Sequence, residues 1–171
     1  MNASDLALLI LRLALSVVFL AHGWNHLFRG GRIAGTTRWF ASLGMQPARV
    51  HAVVASFGEI IAAGLLFLGF LVPVGCAIVV GTMTVAWVTN HARNGFFIFR
   101  PGEGYEYVMV LVALGVGLGG LGGGRLSLDH VLGTEFPEWV GLALAGGGAV
   151  VAAGLLTACW RPKSVAVPAD G

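Results

Sequence analysis

Six polar side chains fall at one depth of this sequence's apolar pattern and could do chemistry together. His22 and His26 are four residues apart and share one face of a helix; His91 and Asn94 close a later apolar stretch, and Glu103 and Glu106 open the next. Two imidazoles at this spacing, with carboxylates from elsewhere in the chain, could hold zinc or iron. Hydrogen bonding among these groups and lipid headgroups is the reading favoured over a metal, and no metal site is assigned. Trp24, Trp87, Phe96, Phe97, Tyr105 and Tyr107 gather near the same depth. Most read as interfacial anchors, although such rings also suit the walls of a quinone pocket.

Two charges lie deeper, inside apolar runs. An ionisable group in hydrocarbon is unfavourable by about 2.5–3.5 kcal/mol, so each needs a partner or a purpose. At 1.5 Å of rise per residue, Arg12 lies about 9 Å below one membrane surface and Glu59 about 13 Å below the other, leaving about 8 Å between their backbones in a core about 30 Å thick. An arginine side chain largely covers that distance, and the expectation is an Arg12–Glu59 ion pair. Such a pair either fixes helix register or positions something bound between the first two spans. Alternatively Arg12 snorkels outward, leaving Glu59 to carry a proton as a proton-handling group.

A third group, Arg125, Ser127, Asp129 and His130, follows a glycine-rich run. Ser127 or Asp129 is placed to cap a short helix running into Val131, and no nucleophile, base and orienting residue can be assembled there. His51, beside Arg49, reads as a surface residue. Cys76 and Cys159 belong to opposite membrane faces and cannot bridge. Without a CxxC pair or Cys/His ligand spacing, neither a thiol relay nor a structural zinc site is available locally.

The elements that must position these groups are membrane helices. Of 171 residues, 57% are hydrophobic and only 11% charged, against about 25% charged in soluble domains. The net charge of +2 is too small and scattered for a nucleic-acid surface, so nucleic acid is excluded as a partner. Five stretches approach spanning length: Leu6 to Leu27, Val50 to Val72, Val74 to Thr89, Tyr105 to Leu121 and Trp139 to Trp160. Only Met1 to Asp5 precede the first, with no basic n-region, so it reads as a retained helix rather than a signal peptide. Gly69 and Pro73 predict a tight hairpin between the second and third. Gly31 to Met45 suits an amphipathic helix lying in the headgroup region, with Trp39 at the interface.

Eight of the ten basic residues, Arg29, Arg32, Arg38, Arg49, Arg93, Arg100, Arg161 and Lys163, fall on one side when five helices cross. Cytoplasmic loops carry that excess, so the N-terminus is expected outside and the C-terminus in the cytoplasm. Gly141, Ala145, Ala149 and Ala153 form a small-residue stripe suited to packing against a neighbouring helix or a second copy of the chain. The expected architecture is all-α: one integral membrane domain whose core covers about residues 6–132, an added helix at about 137–160 and a polar tail at 161–171.

Six runs in order carry a family resemblance: LLILRLALSVVFLAHGWNHLFRG (Leu8 to Gly30), FASLGMQP (Phe40 to Pro47), FGEIIAAGLLFLG (Phe57 to Gly69), NHARNGFF (Asn90 to Phe97), GYEY (Gly104 to Tyr107) and GRLSLD (Gly124 to Asp129). Together they resemble the DoxX family of small bacterial and archaeal membrane proteins. The resemblance implies a polytopic four-helix bundle, which makes Trp139 to Trp160 an added fifth transmembrane helix. It also implies a cell-membrane location and site positions at Arg12, His22, Glu59, His91, Asn94, Glu106, Arg125 and Asp129. Some relatives are subunits of a thiosulfate:quinone oxidoreductase, and a mycobacterial relative is associated with a thiol-oxidant defence complex. The implied role is an accessory or quinone-interacting subunit of a membrane redox or oxidative-stress complex. No flavin or iron–sulfur fingerprint is present, so a complete electron path would need partner proteins. Two other classes fit the same residues: a small-solute or proton transporter lined by Arg12 and Glu59, and a membrane scaffold recruiting cytoplasmic enzymes through the arginine-rich segment Arg29 to Arg49.

Overall fold

A computed structural model describes residues 2–162 as a bundle of helices; the sequence-stretch beyond, including Lys163 of the charge count and most of the expected polar tail, lies outside the described residues. The helices are α1 (Ala3–Phe28), α2 (Arg32–Ser42), α3 (Ala48–Leu68), α4 (Val72–Ala86), α5 (Glu106–Leu121), α6 (Leu128–Leu132) and α7 (Glu138–Cys159). A π-helical turn, Trp87–His91, continues α4. Four of these helices are long and apolar enough to cross a membrane, counting α4 with its π turn, and α5 is a shorter apolar helix of 16 residues. The fold is therefore a helical membrane bundle, and every expected span is found within a few residues of its predicted ends.

Local chemistry sets the boundaries. Asn2 and Asp5 exchange hydrogen bonds with each other's backbone amides at 2.9 and 2.8 Å, closing a capping box at the start of α1. The α3–α4 hairpin turns through Gly69 and Leu71, both with positive φ, and Pro73 sits in the first turn of α4, where its missing N–H leaves no bond unmade. The amphipathic segment forms α2, which buries Thr36 and Phe40 and leaves Trp39 and Arg38 exposed. Its Thr36 hydroxyl donates to the His26 carbonyl at 2.9 Å, which fastens α2 across the last turn of α1.

The chain's two described ends lie at opposite ends of the bundle. Near the N-terminus, the Arg125 amide donates to Asp5 at 3.1 Å. At the other end, α7 is stitched to the α2–α3 connection: the Gln46 amide donates to the Cys159 carbonyl at 2.9 Å, the Arg161 amide to Gly44 at 2.8 Å and the Trp160 indole to Leu43 at 2.9 Å. That placement requires an odd number of crossings between α1 and α7, and α7 is the fifth. Arg29, Arg32, Arg38, Arg49, Arg93, Arg100 and Arg161 consequently share the end that carries α2.

The small-residue face of α7 differs from its expected form. Gly141, Ala145, Gly148, Ala152 and Leu156 are the buried positions, whereas Ala149 is half-buried and Ala153 exposed. A strict four-residue step advances about 40° around a helix of 3.6 residues per turn, so a stripe written that way drifts off the contact face, and one three-residue step restores it. This face packs against α4 and α5 of the same chain. A Cβ at Gly148 would overlap the Ala77 carbonyl, and one at Gly141 the Gly119 carbonyl. Two of the four residues of the expected stripe, Gly141 and Ala145, are thus covered by helices of the same chain.

Candidate functional site

Arg12 and Glu59 are both buried, at 1% and 3% exposure, so neither faces lipid. They do not pair. Arg12 donates to the carbonyls of Leu66, at 3.3 Å, and Leu126, at the end of the bundle that carries Asp129. The Glu59 carboxylate instead approaches His26, with 3.3 Å between Oε2 and Nδ1. The expected ion pair is corrected by two effects. Ser16 donates to Ala63 at 2.8 Å and Arg12 reaches Leu66. That register puts Arg12 level with residues near Leu66, about 10 Å along the axis from Glu59 at 1.5 Å per residue. Side chains also lean toward the N-terminus of their own helix, and α1 and α3 are antiparallel, so the two side chains lean apart. The same rule makes His26 and Glu59 lean toward each other.

The Arg12 end is built as a closed lock. Asp129 is buried, at 2% exposure, and accepts the amides of Leu71 at 2.8 Å and Val72 at 3.0 Å, which caps α4 from far along the chain. Ser127, not Asp129, caps α6, accepting the His130 amide at 3.2 Å. Gly69, at φ 66°, sits against the guanidinium, where a Cβ would overlap Arg12. Arg125 contributes its backbone amide to Asp5, and His130 pairs with Glu135 at 2.9 Å on the exposed rim. These groups hold α1, the α3–α4 hairpin and the α5–α6 connection together, and they sit away from the cavity.

The other end holds a cavity of about 370 Å³, bounded by α1, α2, α3, α4 with its π turn, and α5. His22, His26, Glu59 and His91 all line it, as do Trp39, Phe40 and Tyr107. The volume lies within the range of about 300–1,000 Å³ usual for small-molecule sites. Among the described residues, Glu59 Oε2 and His26 Nδ1 complete no hydrogen bond despite their proximity. Buried polar atoms are ordinarily satisfied, so an unsatisfied carboxylate and imidazole at a cavity wall are the groups from which a ligand would gain most.

Residues 7–92, half of the chain, from the second turn of α1 through the π turn, match the sequence profile of the DoxX family. The chain belongs to the DoxX family. A protein of Haemophilus influenzae, itself uncharacterized, is 28% identical over 145 residues, covering 78% of this chain and 88% of that protein. No solved structure matches. Within this DoxX chain the matched region contains Arg12, His22, His26, Glu59 and His91, while Asn94, Glu106, Arg125 and Asp129 lie beyond it.

Two members of the expected polar cluster are spent on architecture instead. The Asn94 amide donates to the carbonyls of Asn90, at 2.8 Å, Gly102 and Glu103, at 3.1 Å, pinning the loop after α4. Glu106 accepts the Ile98 amide at 2.9 Å and closes the same loop. Neither lines the cavity. His91 does, but both its ring nitrogens are engaged: Nδ1 with the Glu103 carbonyl at 2.8 Å and Nε2 with the Asn90 amide at 3.2 Å. Nδ1 is therefore the donor and Nε2 the acceptor, and His91 presents a fixed wall. His51 is buried rather than superficial, within 3.2 Å of the Gln46 carbonyl, because the turn through Gln46 and Pro47 folds back against the start of α3.

Sequence reasoning missed Asn25, Thr89 and Asn90, which also line the cavity. Asn25 was within reach of the sequence, being three residues from His22 and so its neighbour on the surface of α1, although it is exposed. Asn90 was not, because a π turn takes an extra residue per turn and rotates the following side chains in a way that regular helical periodicity does not anticipate. Among the described residues no three of His, Cys, Asp and Glu come together as a metal-holding group. Cys76 and Cys159 are both free thiols.

Proposed function

We propose that this DoxX-family membrane protein binds a membrane quinone in the cavity beside Glu59, as an accessory subunit of a membrane redox or oxidative-stress complex. The observation that carries the reading is the unsatisfied Glu59–His26 pair at the wall of a cavity whose lining combines aromatic and aliphatic side chains with polar groups such as His22, Asn90 and His91. A quinone head offers two carbonyl oxygens and a flat apolar ring. His22 and His26 are donors for a carbonyl oxygen, Glu59 accepts from a quinol hydroxyl or, when protonated, donates to a carbonyl, and Trp39, Phe40 and Tyr107 flank the ring. Aromatic walls with a few convergent polar groups are the usual composition of such pockets. The arginines gathered around α2 support a cytoplasmic placement of this end, with the N-terminus outside. Electrons would come from a partner protein, since the chain's two cysteines cannot ligate a cluster.

Arg12 lies away from the cavity, locked against Leu66 and Leu126. That weighs against a transport path lined jointly by Arg12 and Glu59. The test is gentle purification into lipid nanodiscs, followed by extraction and ultraviolet detection of bound quinone and titration with added quinone. Glu59→Gln and His26→Ala are expected to weaken binding by about tenfold each, the equivalent of about 1.4 kcal/mol. Unchanged affinity in both variants would remove the proposed site.

A further inference from the structure

The cavity is graded in polarity along the membrane normal. Toward the end that carries α2 it is bounded by Arg29 and Glu103; at the level of Glu59 it presents histidines; toward the membrane centre its lining is apolar, with Val18 and Leu111. Of its two flanking helices, α1 is tied at the opposite end to the connection that follows α5, through the contacts of Asp5 with Arg125 and Arg12 with Leu126. Among the described residues no hydrogen bond joins α1 to α5 alongside the cavity. His22 on α1 and Tyr107 on α5 both line the cavity and are both exposed, Tyr107 at 38%, although each belongs to an apolar membrane helix. Each side chain therefore borders both the cavity and the exposed surface, one on either side of the α1–α5 seam, at the headgroup depth where exposed tyrosine is ordinary.

We propose that the cavity opens sideways into the bilayer between α1 and α5, and that its ligand is a tailed amphiphile. The polar head enters toward Glu59 and the aliphatic tail leaves past Val18 and Leu111 into the acyl chains. This rests on the quinone reading of the head site and specifies the form of quinone: a long-chain membrane quinone, taken directly from lipid, rather than a water-soluble ring. The physical reason is the match of gradients. A head-to-tail molecule already aligned in a leaflet meets polar groups at headgroup level and apolar ones deeper, so it slides in without reversing its orientation. Its tail, left in lipid, loses little of the freedom that full enclosure would remove.

The experiment compares benzoquinone and naphthoquinone heads, each with and without a decyl tail, in nanodiscs, with concentrations corrected for partition into lipid. Val18→Trp places a large ring at the apolar mouth, and Val17→Trp, on the lipid-facing surface next to it, serves as the control. The expected result is a drop of tenfold or more in affinity for the tailed quinone in Val18→Trp, with binding of the tailless head within twofold of wild type and Val17→Trp unchanged. Unchanged tailed binding in a folded Val18→Trp protein overturns the lateral opening while leaving the head site intact. Failure of any quinone to bind the wild type overturns the head-site reading, and this inference with it. A second measurement needs no substitution: a quinone with a diazirine at its tail end is photolysed in the wild-type protein and the adducts mapped. Labels on α1 and α5 are expected; labels confined to α2 or α7, or labelling displaced by phospholipid but not by decyl-tailed quinone, overturn the proposal.

Discussion

The two polar ends of this bundle are made from the same kinds of residue and are finished differently. Around Asp129, a buried arginine and two buried carboxylates are met by backbone amides and carbonyls, and only Arg12 Nε is left without a partner. Around Glu59, a carboxylate and an imidazole lie 3.3 Å apart at a cavity wall and complete no hydrogen bond between them. A buried charge whose partners are backbone groups of three chain segments serves to fix those segments. A buried charge that faces open space is a cost carried for another reason. Burial alone therefore does not separate architecture from site; the identity of the partner does.

The largest effect that would sharpen this contrast is expected from Asp129→Ala, which strands two amides of α4 and removes the nearest counter-charge of Arg12. A loss of about 3–5 kcal/mol in folding stability is expected, read as a lowered unfolding midpoint in detergent. Next comes Gly148→Val, which drives a side chain into the Ala77 carbonyl. Overpacking of this kind is worth about 1–3 kcal/mol, and the matched control Ala153→Val, on the exposed face, is expected to stay within about 0.5 kcal/mol. Trp160→Phe deletes the indole bond to Leu43 and should lower stability by about 0.5–1.5 kcal/mol. Glu59→Gln belongs at the small end for stability, within about 1 kcal/mol of wild type, because no protein hydrogen bond to its unsatisfied oxygen is lost. If Glu59→Gln destabilised the fold as strongly as Asp129→Ala, the distinction between the two ends would collapse.

Much of the architecture was legible in the sequence because each helix must be apolar for spanning length, and that constraint is one-dimensional. The spans, the hairpin at Gly69 to Pro73 and the amphipathic α2 follow from it. The charge asymmetry also selected five crossings over four, in agreement with the position of Arg161 beside Gly44. What was not legible is azimuth and lean. Arg12 and Glu59 were matched by depth alone, whereas side-chain lean in antiparallel helices sends them apart and brings His26 and Glu59 together. Asn94 and Glu106 were placed at the right depth but turn toward their own loop. His22, His26, Glu59 and His91 converge on one cavity, a juxtaposition that depth and helical spacing anticipated in outline.

The π turn at Trp87–His91 stores one residue more than a regular helical turn holds, so this stretch of the chain carries a reserve of length. Deleting a single residue there would let an ordinary helix reform with the flanking positions near their present azimuths. Inserting one has no such reserve to draw on and would swing every later position by about 100°, taking Asn94 from Gly102 and turning α5 toward the wrong neighbour. The segment tolerates shortening and resists lengthening.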